Sequence, residues 1–319
     1  MNRPSLFRAL LALLIIGILA SLTACTDPSN RPPKPIRFVF QNRIGSALPV
    51  IALAKGFFAD QGLTILPLRF NNGPACAEAI YSGSADFGTM GDTAAIICTS
   101  RTKNLTMIAS HCTGEHRHRL IVPADAPYQS LADLASKRIG IKKGTSTYGG
   151  LLAALSAAGI SAGEITIVDL SPSTLPEALA AGSIDAFAAS EPTPSMGELK
   201  GGRELMTFGG LGNQYPIMLL AQNEFLTTRR QDTLAFMVAL KNAERFVLGH
   251  PEETAEIMAK ATGLPLAAMR SAMTRHTYAL ALDAPIVNSL AETAAFLKAH
   301  GKIRQVPDLG RASTTDYLP

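Results

Sequence analysis

The sequence contains no tryptophan, and only 17% of its 319 residues are charged. The formal net charge is +4, and no basic run interleaved with aromatic residues occurs. A nucleic-acid surface would need such a basic patch, so we expect no nucleic-acid partner. The lack of tryptophan argues against a large aromatic clamp around a ligand. The hydrophobic fraction of 47% is sufficient for one large or two modest domains with their own cores.

A long apolar run is also missing at the N terminus. The run at residues 9–20 is shorter than the roughly 18–20 residues that cross a bilayer. It follows the basic residues Arg3 and Arg8 and precedes Leu22-Thr23-Ala24-Cys25, which is the order of a secretory signal peptide. Small residues before a cysteine resemble the lipobox of bacterial lipoproteins, which implies cleavage before Cys25 and a diacylglycerol thioether on its sulfur. An ordinary signal peptide, with Cys25 incidental, is the alternative.

We therefore assign residues 1–24 to a lipoprotein signal peptide and residues 25–35 to a flexible tether. A lipid on this tether predicts an exported protein that is anchored to the cell membrane, in the periplasm or on the outer face. That compartment is oxidising, so one pair among Cys76, Cys98 and Cys112 is a candidate disulfide. The sequence does not identify the pair.

Alternating strands and helices from residue 36 onward indicate an α/β domain with a largely parallel sheet. The clearest local pattern is the strand Arg138–Ile141, the turn at residues 142–148 and a helix that ends at Gly159. A helix start offers unpaired N–H groups and the positive end of the helix dipole, so this corner suits an anion. The alternative is that Thr145 or Ser146 simply caps the helix.

Polar residues cluster at Glu115, His116, Arg117, His118 and Arg119, before an apolar run. On a strand, His116 and His118 would share a face, and histidines beside a cysteine invite a metal site. No carboxylate or cysteine pair has the tight spacing that would complete such a site. We therefore expect no metal, and a polar strand that crosses between lobes near the mouth of a cleft. The role of the two histidines is left open.

Several motifs occur in a characteristic order between residues 36 and 198. They are ALAKGFFADQGL at 52–63, AIYSGSADFG at 79–88, Gly91-Asp92-Thr93, KRIGIKKGTS at 137–146, LAAGSIDA at 179–186 and Glu191-Pro192. Each motif alone is weak, but the ordered set resembles the extracytoplasmic solute-binding proteins of ABC importers. The resemblance is to the branch that serves nitrate, sulfonates, taurine and thiamine precursors.

The resemblance implies a two-lobed α/β periplasmic-binding-protein fold of type II, with a ligand cleft between lobes that two crossover strands join. Lobe 1 would comprise residues 36–122 plus 215–319, and lobe 2 residues 123–213. It also implies a monomer without cofactor or enzymatic chemistry. Such a protein captures a small anionic or zwitterionic solute of the sulfonate, taurine or nitrate type and delivers it to an ABC permease and its ATPase.

Strand ends and helix starts from both lobes should converge on this cleft. The expected ligand-binding residues are Gln41, Asn42, Asn72, Gly73, Asp92, Thr93, Thr145, Ser146, Thr147 and Glu191. Many relatives in the sulfonate branch have an aromatic residue before the acidic–proline pair, where this sequence has Ala189 and Ser190. Carboxylates at Asp92 and Glu191 suit a zwitterion such as an aminosulfonate. Alternatively, Glu191 pairs with a protein cation such as Arg43.

Three other functions share this fold: binding of a pyrimidine or thiamine precursor, ligand sensing by a lipoprotein that reports to a signalling partner, and catalysis. The thiamine-pyrimidine synthases on this fold use histidine with iron and a cysteine-rich motif, which this sequence lacks. A covalent mechanism needs a nucleophile with a base in reach, and no motif places a histidine beside Ser146.

Overall fold

The computed structural model describes residues 34–319. The predicted signal peptide, the lipobox with Cys25 and nearly all of the tether therefore lie outside the described residues. Residues Pro35–Pro319 form one compact unit that contains two five-stranded sheets. Between residues 34 and 319, no helix has both the length and the apolar character needed to cross a membrane.

The strands and helices are numbered in chain order. The strands are β1 Ile36–Gln41, β2 Ile65–Phe70, β3 Phe87–Gly91, β4 Leu105–Cys112, β5 His118–Pro123, β6 Arg138–Ile141, β7 Thr166–Asp169, β8 Ala186–Ser190, β9 Gly202–Thr207 and β10 Ile217–Gln222. The α-helices are α1 Ala47–Ala54, α2 Phe57–Asp60, α3 Gly73–Tyr81, α4 Asp92–Arg101, α5 Ser146–Ala157, α6 Leu175–Ala180, α7 Thr193–Glu198, α8 Asn223–Thr228, α9 Arg230–Gly249, α10 Pro251–Thr262, α11 Leu266–Met273, α12 Ala284–Ala299 and α13 Leu309–Ala312.

The first sheet has the order β2-β1-β3-β10-β4. Strand β1 pairs in parallel with β2 and β3, whereas β10 is antiparallel to β3 and β4. Side chains alternate along a strand, so Phe38 of β1 packs into one core and Val39 into the core on the opposite face. The core that contains Phe38 is rich in aromatic residues, and there the ring of Phe236 of α9 stacks on Phe87 with centroids 4.3 Å apart.

The second sheet has the order β7-β6-β8-β5-β9. Strand β6 is parallel to β7 and β8, while β5 is antiparallel to β8 and β9. Ile139 and Ile141 pack against Leu151 of α5 on one face, and Phe187 packs against Leu175 of α6 on the other. The predicted two-lobed α/β architecture is confirmed. Both sheets are mixed, because in each one strand that follows a crossover, β10 or β5, runs antiparallel to the other four.

The crossover into the second sheet occurs at residues 113–117, before β5. Strand β5 pairs with β8 and β9, although residues 118–122 fall in the range that we predicted for lobe 1. The return crossover runs through residues 208–216, between β9 and β10. The exact boundaries of the two lobes stay a prediction. The pairing of β5 places the first crossover a few residues earlier than we predicted.

The three described cysteines, Cys76, Cys98 and Cys112, are free and buried. No two of them form the disulfide that the sequence left open. Cys76 and Cys98 lie in the core beneath α3 and α4, whereas Cys112 ends β4 in the other core of the first sheet. Burial raises the pKa of each thiol to about 12, so all three are unreactive thiols in the closed fold.

Candidate functional site

A small cavity of about 30 Å³ lies where the carboxyl ends of β1, β3, β6 and β8 face each other. The first sheet and its turns contribute Gln41, Arg43, Gly45, Ser46, Gly73, Gly91, Ala94 and Ile217, and the second contributes Arg117, His118, Thr145, Ser146, Thr147, Ser190 and Glu191. We call this cavity the inner pocket. The helices α1 and α5 begin at Ala47 and Ser146, so two helix N-termini border it from opposite sheets.

Two guanidinium groups give the inner pocket its charge. The Arg43 guanidinium donates to Ser190 Oγ at 2.6 Å and to the carbonyl of Asn71 at 3.1 Å. The guanidinium of the buried Arg117 donates to the carbonyl of Tyr215 at 2.6 Å. Burial, together with the charge of Arg117, lowers the pKa of Arg43 to about 10. Each arginine is therefore held by neutral acceptors only, and each raises the cost of charge on the other.

Four buried polar atoms that belong to pocket-lining residues have no hydrogen-bond partner within residues 34–319. They are Ser46 Oγ, Ser146 Oγ, Arg117 Nε and His118 Nε2. A buried polar group without a partner costs about 1–3 kcal/mol. All four are able to donate a hydrogen bond, so their common location favours a bound group that accepts several hydrogen bonds.

The imidazole of His118 is oriented by Thr147 and Tyr215. Its Nδ1 lies 2.6 Å from Thr147 Oγ1, and its ring packs on the Tyr215 ring with centroids 4.4 Å apart. Burial, followed by the charges of Arg117 and Arg43, lowers the pKa of His118 well below its usual value. The ring is therefore neutral near pH 7. When the Thr147 hydroxyl donates to Nδ1, the proton is on Nε2, which is then a donor for an anion.

The carboxylate of Glu191 reaches the inner pocket but is already paired. It accepts from Arg119 at 2.8 Å and from Ser195 Oγ at 2.8 Å. The Arg119 guanidinium also contacts Glu198 and Glu204, so it is the centre of a three-carboxylate network in the second sheet. Glu191 thus pairs with a protein cation, as one of the two alternatives expected, but the cation is Arg119 and not Arg43.

The carboxylate of Asp92 faces away from the inner pocket. One oxygen accepts from the backbone N–H of Thr93 at 2.6 Å. The other accepts from Asn213 Nδ2 at 2.8 Å and from Thr293 Oγ1 at 3.0 Å. These contacts join the start of α4 to the second crossover and to α12. The Asp92 carboxylate therefore has a structural role in holding these segments together.

Six of the ten residues predicted for ligand binding line the inner pocket: Gln41, Gly73, Thr145, Ser146, Thr147 and Glu191. The other four, Asn42, Asn72, Asp92 and Thr93, do not. Asn42 donates its side-chain amide to the carbonyl of Ala261, and Asn72 caps α3 by accepting from Ala75 N–H at 3.0 Å. Thr93 lines a separate cavity beside Gly149 and Asn213. Contact of the six with a ligand stays a prediction.

The two histidines of the polar cluster do not share a face. His116 lies in the short 3₁₀ helix Glu115–Arg117, and its Nδ1 is 2.8 Å from Thr207 Oγ1. His118 begins β5 and turns into the cleft. Within the described part of the chain, no group of three or more histidine, cysteine, aspartate or glutamate side chains could hold a metal ion.

Sequence reasoning missed Ser46, Arg117 and His118 as pocket residues, and it considered Arg43 only as a partner for Glu191. A usable signal was present for two of these residues. Arg43 and Ser46 follow β1 in the same turn as Gln41, where parallel strands present their ligand contacts. For Arg117 and His118, the sequence predicted a position near the mouth of a cleft, but it did not show that their side chains point into the pocket.

The two sheets approach each other closely at Gly91 and Ser146. A Cβ atom on Gly91 would lie 2.1 Å from Ser146 Oγ, well inside van der Waals contact. At the neighbouring contact, a Cβ on Gly149 would lie 3.2 Å from Thr93 Oγ1. The cleft is therefore closed in this structure, and small residues at these points permit the closure.

Comparisons with known proteins agree with this architecture. The family described as NMT1/THI5 like matches residues 46–254, well over half of the chain. A Brucella abortus protein whose name states only that it is a binding protein is 29% identical over 224 residues, which cover 68% of this chain and 67% of that protein. The taurine-binding periplasmic protein of Escherichia coli is 24% identical over 273 residues, which cover 80% of this chain and 84% of that protein.

Among solved structures, the alkanesulfonate-binding protein SsuA from Xanthomonas axonopodis pv. citri, bound to MOPS, superimposes with a TM-score of 0.81. It is 25% identical, and the match covers 89% of this chain and 99% of that one. The fold and the closed cleft define a two-lobed solute-binding protein. The chain belongs to the NMT1/THI5-like family.

Proposed function

We propose that this chain is the substrate-binding component of an ABC import system and that it captures an organic sulfonate. The observation that carries the proposal is the inner pocket itself. Two guanidinium groups and four unpartnered polar atoms of the described residues converge there, and the carboxylate that lines the pocket is already paired with Arg119. A sulfonate offers three acceptor oxygens and one negative charge, which matches this donor set.

The same electrostatics favour a simple sulfonate over a zwitterion such as taurine. An ammonium group would need a carboxylate or several free acceptors in the cleft. Asp92 is occupied by Thr93, Asn213 and Thr293, and Glu191 by Arg119 and Ser195. Both carboxylates are therefore already paired, whereas several donors that line the inner pocket have no partner among the described residues. Taurine should bind more weakly than an alkanesulfonate of the same length.

Binding without catalysis is part of the proposal. The one imidazole–hydroxyl pair in the inner pocket, among the described residues, is that of His118 and Thr147. Because burial and two arginines depress the pKa of His118, its imidazole is a poor base for activating a hydroxyl. The relatives reported above are named for binding, and turnover of a bound sulfonate by the purified protein would contradict this part of the proposal.

The proposed location follows from the N-terminal sequence and from the periplasmic relative. We infer that the protein is exported, that residues 1–24 are removed and that Cys25 carries a lipid, with residues 25–35 as the flexible tether to the membrane. From that position the closed protein would deliver its solute to the permease and its ATPase. A monomer is sufficient for this role, because the inner pocket is built entirely by one chain.

Calorimetric titration of the mature protein with methanesulfonate, taurine and nitrate tests the function. We expect binding of methanesulfonate that Arg117→Met weakens by about tenfold or more, since a hydrogen bond to a charged group contributes about 1.5–3 kcal/mol. Arg245→Met removes one exposed positive charge on α9 and is the matched control, which should bind as the wild type does. Equal loss in both variants, or no response to any sulfonate, would refute the proposal.

A further inference from the structure

The inner pocket is too small for a complete organic sulfonate. Its volume of about 30 Å³ accommodates roughly two or three water-sized groups. That is the size of an oxyanion head, and it leaves no room for a substituent of several carbon atoms. The substituent of any larger sulfonate must therefore occupy a neighbouring space.

Two neighbouring cavities share a lining residue with the inner pocket. One, of about 290 Å³, meets it at Arg43 and is lined also by Asn71, Pro172 and Met196. We call it the Arg43-side cavity. The other, of about 170 Å³, meets the inner pocket at Ala94 and extends between α3, α4 and the turn before α5. We call it the side chamber.

The boundary with the Arg43-side cavity is closed by polar contacts. The Arg43 guanidinium bridges the two sheets there, with Ser190 Oγ on one side and the Asn71 carbonyl on the other. A substituent that passed this point would have to break a hydrogen bond of the same charged group that binds the anion. This route is therefore costly for an apolar group.

The boundary with the side chamber consists of small residues. A Cβ on Gly73 would lie 3.4 Å from Ala94 Cβ, and a Cβ on Gly144 would lie 3.5 Å from Pro74 Cγ. No hydrogen bond between described residues joins Gly73 or Pro74 to Ala94 or Gly144. Opening this boundary needs only small shifts of side chains in van der Waals contact, so it is the easier way out of the inner pocket.

The lining of the side chamber suits an apolar occupant. Its inner wall is formed by Pro74, Ala77, Ile97 and Cys98, and Tyr81 stands at its edge with 47% of its surface exposed. An exposed tyrosine ring beside an apolar hollow is available to cover a ligand. Charged groups from Glu78, Arg101 and Lys143 form the rim.

We propose that the side chamber binds the apolar alkyl or aryl substituent of a sulfonate whose head group occupies the inner pocket. The inference rests on the proposed function, because the head group sets the position of the substituent. The chamber has walls from both sheets, with α3 and α4 on one side and Lys143 and Gly144 on the other. An occupant thus contacts both lobes and stabilises the closed form in addition to filling the chamber.

The test is a calorimetric series of methanesulfonate, butanesulfonate and hexanesulfonate with the wild type and two variants. Ala77→Phe fills the side chamber, and Ser173→Phe places the same ring in the Arg43-side cavity as the matched control. We expect the wild-type affinity to rise about threefold to fourfold per methylene group that the chamber accepts. Ala77→Phe should bind methanesulfonate normally and lose this gain, whereas Ser173→Phe should keep it.

The outcomes separate this inference from the function itself. Loss of the gain in Ser173→Phe alone would place the substituent in the Arg43-side cavity, and a gain that both variants keep would place it in neither cavity; either result overturns the inference. Normal methanesulfonate binding without any gain in the wild type would also overturn it, but would leave the proposed function intact. Failure of every sulfonate to bind would overturn both. Should Ala77→Phe lower the apo melting temperature, Ala77→Leu replaces it.

Discussion

The contact between Gly91 and Ser146 makes closure of the cleft testable by a single methyl group. Gly91 ends β3 in the first sheet, and Ser146 begins α5 beside the second. The backbone of Gly91 has φ −66° and ψ 160°, an extended conformation that alanine adopts without strain. Gly91→Ala therefore leaves each lobe intact and places its Cβ 2.1 Å from Ser146 Oγ.

The size of the effect follows from this distance. A Cβ atom essentially never lies within 3.0 Å of another heavy atom, so either the Ser146 hydroxyl rotates away about its Cα–Cβ bond or the two lobes part here by roughly 1 Å. Either response moves Ser146 Oγ away from an anion held by Arg43 and Arg117, and so removes one hydrogen bond to the ligand. Losing one hydrogen bond to a charged ligand costs about 1.5–3 kcal/mol, so we expect affinity to fall about 10- to 150-fold.

A double-mutant cycle separates this steric cause from a general loss of fold. Ser146→Ala removes the clashing oxygen and leaves Cβ of residue 146 at 3.4 Å from the new methyl group, an ordinary contact. On that background Gly91→Ala should cost less than about 0.5 kcal/mol of binding free energy. The coupling energy of the cycle should thus nearly equal the full effect of Gly91→Ala in the wild type.

The assay is calorimetric titration of methanesulfonate into the four proteins, with melting temperatures of the unliganded forms as the fold control. Gly91→Ala alone should not lower the apo melting temperature, because replacing glycine at a compatible position stabilises by about 0.4–1 kcal/mol. Additive losses in the double variant, or wild-type affinity in Gly91→Ala, would show that closure through this contact does not govern binding.

Three further predictions concern charge, pH and the membrane. Arg43→Met should weaken methanesulfonate binding by at least about tenfold in calorimetry, and unchanged affinity would remove Arg43 from the site. Burial lowers the pKa of His111 and His276 from 6.5 to about 3, so below pH 6.5 the unfolded chain binds more protons than the folded one. The free energy of unfolding, measured with urea, should therefore decrease as the pH is lowered from 6.5 towards 3. His111→Leu should reduce the slope of this free energy against pH by up to about 1.4 kcal/mol per pH unit. An unchanged slope would contradict that assignment. Cys25→Ser should release the protein from membranes in a fractionation assay, and retention would argue against the lipid anchor.

Much of the fold was predictable because it depends on local patterns. Strand β1 alternates its buried faces, and α5 follows a turn whose Thr145 caps the helix by accepting from Tyr148 N–H. Strand β9 was missed, since all six of its residues are half-buried and no apolar alternation marks it. The mixed character of the sheets was also hidden, because the direction in which β10 enters depends on a connection across the whole second lobe.

The site was only partly predictable, because proximity to the cleft does not determine where a side chain points. Asn72 turns back to its own helix, a local contact that competes with any ligand. Asp92 turns to Thr293, which is 201 residues away in the chain. Arg117 resembles a solvated polar residue in the sequence, and only the meeting of two sheets makes it a buried cation facing Arg43.

The same features that escape sequence reasoning explain why a ligand should drive closure. In the closed form, four buried polar atoms of the described residues lack partners and two guanidinium groups face each other across the inner pocket. Water that fills the inner pocket would partner these donors, but it brings no negative charge to offset the two guanidinium groups, so closure without an anion is disfavoured. A sulfonate head supplies the missing acceptors and opposes the repulsion between Arg43 and Arg117. Its binding free energy is therefore coupled to the closed state, which a permease can then distinguish from the open one.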